Sequence, residues 1–242
     1  MLVISLKEFD NGRSLRGAEV HLSRLVCNER VDHSVIAYWE NKEEMRDLVA
    51  RFIAVAGALL DTVLSKLFTF VDSTKFTSWN IEEVDMTLCN RIARGTVYPI
   101  GISFQTATVA DPVNESVPAG AGVLYADAGY DANDALGVMF QKGYVPVVCP
   151  NKNRIDGHWR RKARGLYRLR EHRLGYRQGG RGESVFGSLT NWLGDRFHTR
   201  NKVAMQTRSA ARVLAYQLRI LIRAQVRLLE LFFRHAQQEK RI

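Results

Sequence analysis

The spacing of apolar positions changes near residue 67, and this change separates a helical part of the chain from a strand-rich part. From Glu43 to Leu67 the apolar residues recur at roughly helical intervals, which predicts a small, mostly helical N-terminal region over residues 1–66. Its longest apolar run, FIAVAGALL at 52–60, has about half of the ~20 residues that cross a bilayer. We therefore expect this run to form a buried helix.

Short segments rich in strand-forming residues follow from residue 67. They are LFTFVD at 67–72, one or two strands within 96–111, GVLYAD at 122–127 and YVPVVCP at 144–150. Between the last two segments, NDALGVMFQKGY has the pattern of a helix that stops at Gly143. Early strands followed by a strand–helix–strand unit predict an α/β fold with a mixed sheet flanked by helices.

Positive charge is concentrated in one segment of the chain. The formal net charge of +10 predicts a polyanionic partner, either nucleic acid or an anionic membrane surface. Residues 151–181 hold eleven Lys and Arg residues against two acids, Asp156 and Glu171. Aromatic residues, among them Trp159 and Tyr176, are interleaved with these cations. Phosphate contacts and base stacking need this combination, so the segment favours nucleic acid.

The cysteines and the first residues indicate where the protein works. Cys27, Cys89 and Cys149 lie far apart and form no CxxC pair, which is typical of a reduced intracellular protein without a zinc finger. Residues 1–6 lack the long apolar core and the basic flank of a signal peptide. We expect a cytoplasmic protein with no membrane-spanning segment.

Two predicted strands end on an aspartate. Asp127 follows GVLYA in the stretch VLYADAGYDANDAL, and Asp72 follows LFTFV. A single aspartate after a strand most often caps the next helix or binds amides of the turn. Two carboxylates at the ends of neighbouring strands would instead form a site for a hard cation, which relieves their mutual repulsion. Both interpretations stay open on these two residues alone.

A third acid opens the next predicted helix, GESVFGSLTNWL at 182–193. Phe186, Leu189 and Leu193 share one side of that helix, and Glu183 lies one turn before Phe186. An acid at a helix start can serve the helix dipole. An acid turned toward the core side needs a partner, and a metal ion is one such partner.

The segments FVDST, LYADAGYDA and RGESVFGSL resemble the DDE transposases of bacterial and archaeal insertion sequences. The resemblance covers about residues 67–220 and implies an RNase H-like catalytic domain over 67–200, with a basic insert at 151–181. Residues 201–242 would then form a basic C-terminal helix. Arginines recur there at spacings of four and seven from Arg208 to Arg234, and they would face DNA, solvent or a dimer partner.

The resemblance also implies the chemistry and its residues. Asp72, Asp127 and Glu183 would hold two Mg²⁺ (or Mn²⁺) ions and cleave and transfer DNA strands at the ends of an insertion sequence. The partner would be double-stranded DNA, both element ends and target, with a homodimer on the DNA and association with the nucleoid. The DNA-binding residues would be Lys152, Arg154, Arg160, Arg161, Lys162, Arg164, Tyr176, Arg177 and Arg181.

Two positions depart from the pattern of many relatives. Tyr176 matches the tyrosine that they place seven residues before the glutamate. Gly179 and Thr190 occupy the places where those relatives have an arginine and a lysine, although Arg177 and Arg181 are near. An inactive or truncated transposase that only binds DNA is therefore the alternative function.

Overall fold

The structure is a computed structural model that describes residues 14–24, 28–78, 83–93, 95–104, 108–153, 157–177, 180–193, 196–197, 199 and 201–239. Within these ranges it describes side chains except at positions 22, 67, 78, 180–183, 192–193, 196 and 226–239.

Helices precede the sheet, as the N-terminal periodicity predicts. They are α1 (Leu15–Gly17), which continues as a π-helical turn over Ala18–Leu22, α2 (His33–Glu40) and α3 (Glu43–Val63). The following elements are, in order, β1 (Lys66–Ser78), β2 (Glu83–Ala93), β3 (Thr96–Phe104), α4 (Ala110–Ser116), β4 (Gly122–Ala126), a 3-10 turn (Ala128–Tyr130), α5 (Asn133–Gln141) and β5 (Tyr144–Val148). The chain ends with α6 (His158–Arg168), α7 (Arg170–Tyr176), α8 (Gly180–Leu193), β6 (Arg196–Phe197) and α9 (Lys202–Glu239).

β1 is the central strand of a mixed sheet with the order β3–β2–β1–β4–β5, and β6 pairs with the far end of β1. β1 and β3 each run antiparallel to β2, whereas β4 runs parallel to both β1 and β5. Helices flank this sheet. The architecture confirms the predicted α/β class and is that of an RNase H-like fold.

Each face of the sheet carries its own core. Successive strand residues point to opposite faces, so Phe70 belongs to one buried cluster and Val71 to the other. Val185 of α8 packs in the cluster of Phe70, and Leu136 of α5 packs in that of Val71. Because both faces are covered, β1 and β4 are held between two apolar layers.

The helix predicted after β4 is confirmed, and so is its stop. Gly143 has φ +90°, a conformation that favours glycine. A Cβ atom at this position would also lie 2.2 Å from the carbonyl oxygen of Gly120. The turn between α5 and β5 therefore requires glycine for two separate reasons.

The prediction that Asp72 ends the first strand is wrong. β1 continues to Ser78, because its antiparallel pairing with β2 extends as far as Thr77↔Glu83. β2 itself was not predicted. The parallel pairing of β1 with β4, however, ends at Val71↔Ala126. Asp72 is therefore the first residue of β1 beyond the parallel ladder.

The prediction of a buried helix at 52–60 is only half right. Ile53, Ala56 and Leu60 are buried against the fold, but Phe52, Val55 and Leu59 are exposed. The helix α3 therefore has an apolar side that the described part of the chain leaves uncovered. None of the described helices is long and apolar enough to cross a membrane.

The C-terminal segment forms one long helix, but its arginines do not share one outer face. Arg208 bonds the buried carboxylate of Glu40 through Nε at 2.9 Å and Nη2 at 2.7 Å. The buried Arg212 places its guanidinium carbon 3.9 Å from the ring centroid of Phe197. Arg223 is exposed. The pair of Glu40 and Arg208 joins α2 to α9. The division of the chain into domains at 1–66, 67–200 and 201–242 stays a prediction.

Candidate active site

The structure brings two of the three predicted acids side by side. Val71 and Ala126 are partners in the parallel ladder of β1 and β4, so Asp72 and Asp127 are the next residues on neighbouring strands. Adjacent strands lie about 4.8 Å apart, which is within the reach of two carboxylates that share a cation. Asp72 is half-buried and Asp127 is exposed. Solvent and a ligand can thus approach the pair from one side.

Asp127 also caps the turn that follows it, which is the structural role that the sequence predicts for a single aspartate after a strand. Its Oδ1 accepts a hydrogen bond of 3.0 Å from the backbone N–H of Gly129 and starts the 3-10 turn. A Cβ atom at position 129 would lie 3.1 Å from that same oxygen, so a larger residue would crowd the carboxylate. Among the described residues, none donates a hydrogen bond to Oδ2 of Asp127. Capping uses one oxygen, and the other remains available for a cation.

A hydrogen-bonded link connects the surroundings of the two acids. The hydroxyl of Tyr130, three residues after Asp127, bonds the hydroxyl of Ser73, the residue after Asp72. Ser73 also bonds the hydroxyl of Thr87 on β2 at 2.8 Å. Burial raises the pKa of Tyr130 to about 12, the charges of Asp127 and Asp72 act in the same direction, and the bonds to Ser73 and Thr87 oppose them. Tyr130 therefore stays neutral at physiological pH.

The second aspartate of the signature turn, Asp131, anchors the turn to the basic segment. Asp131 is 2% exposed, and its Oδ2 accepts a bond of 2.8 Å from the N–H of Asn151. Arg160 lies 3.2 Å from its Oδ1 and donates to its carbonyl oxygen at 2.7 and 3.1 Å. Arg164 lies 3.8 Å from Oδ2 and donates to the carbonyl of Asn151 at 3.1 Å. The turn that carries Asp127 is thus held by α6.

This arrangement divides the predicted DNA-binding residues into two groups. Arg160 and Arg164 bind Asp131 and Asn151 within the protein. Lys152, Arg161, Lys162 and Arg177 are exposed, and Lys162 lies 4.3 Å from the ring centroid of Phe140. Arg154 lies outside the described residues, and the side chain of Arg181 does too. Three further exposed cations on α6 and α7 were not in the predicted set: Arg168, Arg170 and Arg173.

Tyr176 ends α7 close to the two acids. Its ring contacts Tyr125, two residues before Asp127, with ring centroids 6.4 Å apart, and Tyr167 at 5.5 Å. Burial raises the pKa of Tyr176 to about 12, and the charges of Asp127 and Asp72 contribute to that shift. The helix α7 therefore ends within electrostatic range of the acid pair.

The third predicted acid, Glu183, lies in the first turn of α8, and its side chain falls outside the described residues. Downstream of it, Val185, Phe186 and Leu189 are buried against the sheet. Glu171 on α7 is exposed, and its charge is the second cause, after burial, of the raised pKa of Tyr125. Glu171 is thus another acid within electrostatic range of β4.

Another cluster of metal-ligand type occurs near the N-terminus. Ligand atoms of Glu19, Asp32 and His33 lie within 4.8 Å of one another. The buried Glu19, however, accepts from Arg30 Nε at 2.7 Å and contacts His33 Nδ1 at 2.9 Å. The hydrogen bonds from Arg30 and His33 lower the pKa of Glu19. Its carboxylate already has cationic and hydrogen-bonding partners, so the cluster stabilises the start of α2.

Comparison with known proteins agrees with the geometry. Residues 103–218 match the family model of the transposase DDE domain. The matched segment runs from the end of β3 into α9, contains Asp127 and Glu183, and begins after Asp72. No curated protein and no solved structure matches the chain. The match confirms the predicted resemblance: residues 103–218 are similar to the DDE domain of transposases.

Proposed function

We propose that this protein cleaves a DNA strand at the end of an insertion sequence and joins the released end to target DNA. The observation that carries the proposal is the register of β1 and β4, which makes Asp72 and Asp127 neighbours just beyond the parallel ladder. Glu183 completes the acid set in this proposal. Three carboxylates are the donors that suit two Mg²⁺ or Mn²⁺ ions, and such ions activate a nucleophile and stabilise a leaving oxygen.

The residues of the chain contribute position and charge. In the first step a water oxygen attacks phosphorus in line, and the bond to the 3′ oxygen breaks to leave a free 3′-hydroxyl. In the second step that hydroxyl attacks a phosphorus of the target, and the target's own 3′ oxygen leaves. Asp72 and Asp127 would hold the metal ions, whose positive charge would offset the negative charge of the reacting phosphate. The geometry of the two acids is supported by the contacts of Tyr130 with Ser73 and of Asp131 with α6.

DNA is bound by the exposed cations of the basic segment in this proposal. Arg161, Arg168, Arg173 and Arg177 are exposed on or just after α6 and α7, and α7 ends at Tyr176 within electrostatic range of the acid pair. Each phosphate that they neutralise releases counterions. A homodimer on the DNA and a location at the nucleoid belong to the same proposal.

One observation favours the alternative of an inactive, DNA-binding protein. Thr190 occupies a place where many relatives carry a lysine. Its hydroxyl donates to the carbonyl oxygens of Phe186 at 3.0 Å and Gly187 at 3.2 Å. This side chain is engaged within α8 and brings no positive charge to DNA.

A strand-cleavage assay separates the two functions. The purified full chain is incubated with Mg²⁺ and a duplex that carries the element's own ends. We expect a nicked product from the unchanged protein, no product from Asp127→Asn, and normal product from Asp134→Asn, an exposed acid in the first turn of α5. DNA binding without any cleavage by the unchanged protein would establish the alternative.

A further inference from the structure

One side of α3 exposes a continuous set of apolar side chains. These are Leu48, Phe52, Val55, Leu59 and Val63, which are between 38% and 57% exposed. We call this set the α3 face. Its members follow one another at spacings of four, three, four and four residues, so they form a single stripe along the helix. At 1.5 Å per residue the stripe is about 22 Å long.

The α3 face lies beside the stripe that holds the helix to the fold. Met45, Val49, Ile53, Ala56 and Leu60 are buried against the sheet and α9. At about 100° per residue, the centres of the two stripes are about 80° apart around the helix axis. The apolar arc of α3 is therefore about twice as wide as its contact with the described fold. Contiguous apolar patches of this kind mark interaction sites in soluble proteins.

The charges of α3 argue against an anionic partner. The helix carries four acids against two bases, Arg46 and Arg51: the acids are Glu43, Glu44, Asp47 and Asp61. This balance contrasts with the basic α6 and disfavours both DNA and an anionic lipid surface. An apolar protein surface suits the face better.

We propose that the α3 face binds the α3 face of a second copy of this chain, with the two helices antiparallel. A two-fold axis between Phe52 and Val55 places Leu48 of each chain beside Leu59 of the other. The same pairing brings Lys66, just after the helix, to within about one turn of the acidic start of the other helix at Glu43 and Glu44. A parallel pair would instead place these acids beside their own copies, which costs stability.

This contact does not depend on the proposed cleavage reaction, because no residue of the α3 face belongs to the acid site. A single helix pair of this length covers less than the ~800 Å² per partner of a standard interface. We therefore expect a reversible dimer with a dissociation constant in the micromolar range.

Sedimentation velocity of the full chain over a range of concentrations tests the surface. We expect a concentration-dependent dimer that Val55→Glu abolishes, with an unchanged circular dichroism spectrum because Val55 is exposed. Ala54→Glu is the matched control, since Ala54 is exposed on the same helix outside the α3 face. A protein that stays monomeric at every concentration would overturn the proposal. A dimer that survives Val55→Glu, or that both variants abolish, would do so too.

Disulfide cross-linking tests the direction of the helices. In a background with Cys27→Ser and Cys149→Ser, we expect Leu48→Cys mixed with Leu59→Cys to form a cross-linked dimer on oxidation. Neither variant alone should cross-link in an antiparallel pair. Efficient cross-linking of Leu48→Cys with itself would show a parallel pair and contradict the proposed arrangement.

Discussion

The hydroxyl of Tyr130 is hydrogen-bonded to the hydroxyl of Ser73, and this contact joins the turn after Asp127 to the residue after Asp72. The two acids lie on different strands, and the distance between their backbones is set by the parallel pairing. Ser73 points to the opposite face of β1 from Asp72, the face of Val71 and Tyr130, so the Tyr130–Ser73 contact adds a side-chain link on the other side of the sheet. The parallel pairing and the Tyr130–Ser73 bond therefore both fix the relative position of the segments that carry the two acids.

Tyr130→Phe removes this link without creating a cavity. We expect a loss of about 1 kcal/mol in the free energy of unfolding, which is usual for one hydrogen bond, because Ser73 keeps its bond to Thr87. The rate of strand cleavage should fall by more than this loss of stability explains. The control is Tyr98→Phe, which removes a hydroxyl bonded to Asp61 at 2.7 Å, away from the acid pair. Equal effects of the two changes on cleavage would show that the link has no role at the site.

Asp131→Ala should destabilise the protein strongly. Its carboxylate is buried with Arg160, whose side chain is 11% exposed, and removal of one partner of such a pair costs about 3–5 kcal/mol. Urea unfolding followed by circular dichroism measures the loss. Asp134→Ala, an exposed acid three residues later, should change stability little. A small loss in Asp131→Ala would mean that the pair with α6 does not hold the turn.

The exposed cations, rather than the anchored ones, should determine the salt dependence of DNA binding. Replacing Arg161, Arg168, Arg173 and Arg177 by Ala should flatten the slope of log K against log salt by up to about 3.6, at about 0.9 per phosphate contact. Arg51→Ala removes an exposed cation on α3 and should leave the slope unchanged. Fluorescence anisotropy at several salt concentrations gives both slopes. An unchanged slope in the fourfold variant would place the DNA elsewhere.

Glu183→Asp separates a metal ligand from a helix-end charge. An aspartate serves the helix dipole almost as well, but its side chain is one methylene shorter. A displacement of about 1 Å costs about a hundredfold in such reactions, so cleavage should fall by that order while DNA binding and folding persist. Glu171→Gln is the comparison variant. Full cleavage by both Glu183→Asp and Glu183→Gln would remove Glu183 from the site, and Glu171 would then be the first acid to test.

The local sequence pattern was sufficient to predict the part of the fold around Asp127. The strand β4, the helix α5 and the stop at Gly143 depend on short-range periodicity and on one backbone conformation, and all three were predicted. β2 was missed because polar residues interrupt its apolar pattern. Asn90 and Arg91 are both buried in that strand, and Arg91 bonds Thr69 on β1. The reason for their burial lies in the neighbouring strand and is not visible in the local sequence.

The roles within the basic segment could not be assigned from the sequence either. Arg160, Arg161 and Lys162 are consecutive cations of similar type. Only the packing of α6 against the turn at Asp131 separates the anchored Arg160 from its exposed neighbours. The exposure of Val55 on α3 was likewise hidden, because an apolar helix residue has the same pattern whether its partner lies in the same chain or in another.

The central claim is that Asp72 and Asp127 share a divalent-metal site, and thermal unfolding with and without Mn²⁺ tests it most directly. A metal that binds only the folded protein raises its melting temperature. We expect such a rise in the unchanged protein and in Glu19→Gln, which alters the other acidic cluster, but no rise in Asp72→Asn. Without metal, Asp72→Asn should be at least as stable as the unchanged protein, because it removes like-charge repulsion. An equal rise in Asp72→Asn, or a rise that only Glu19→Gln abolishes, would contradict the account.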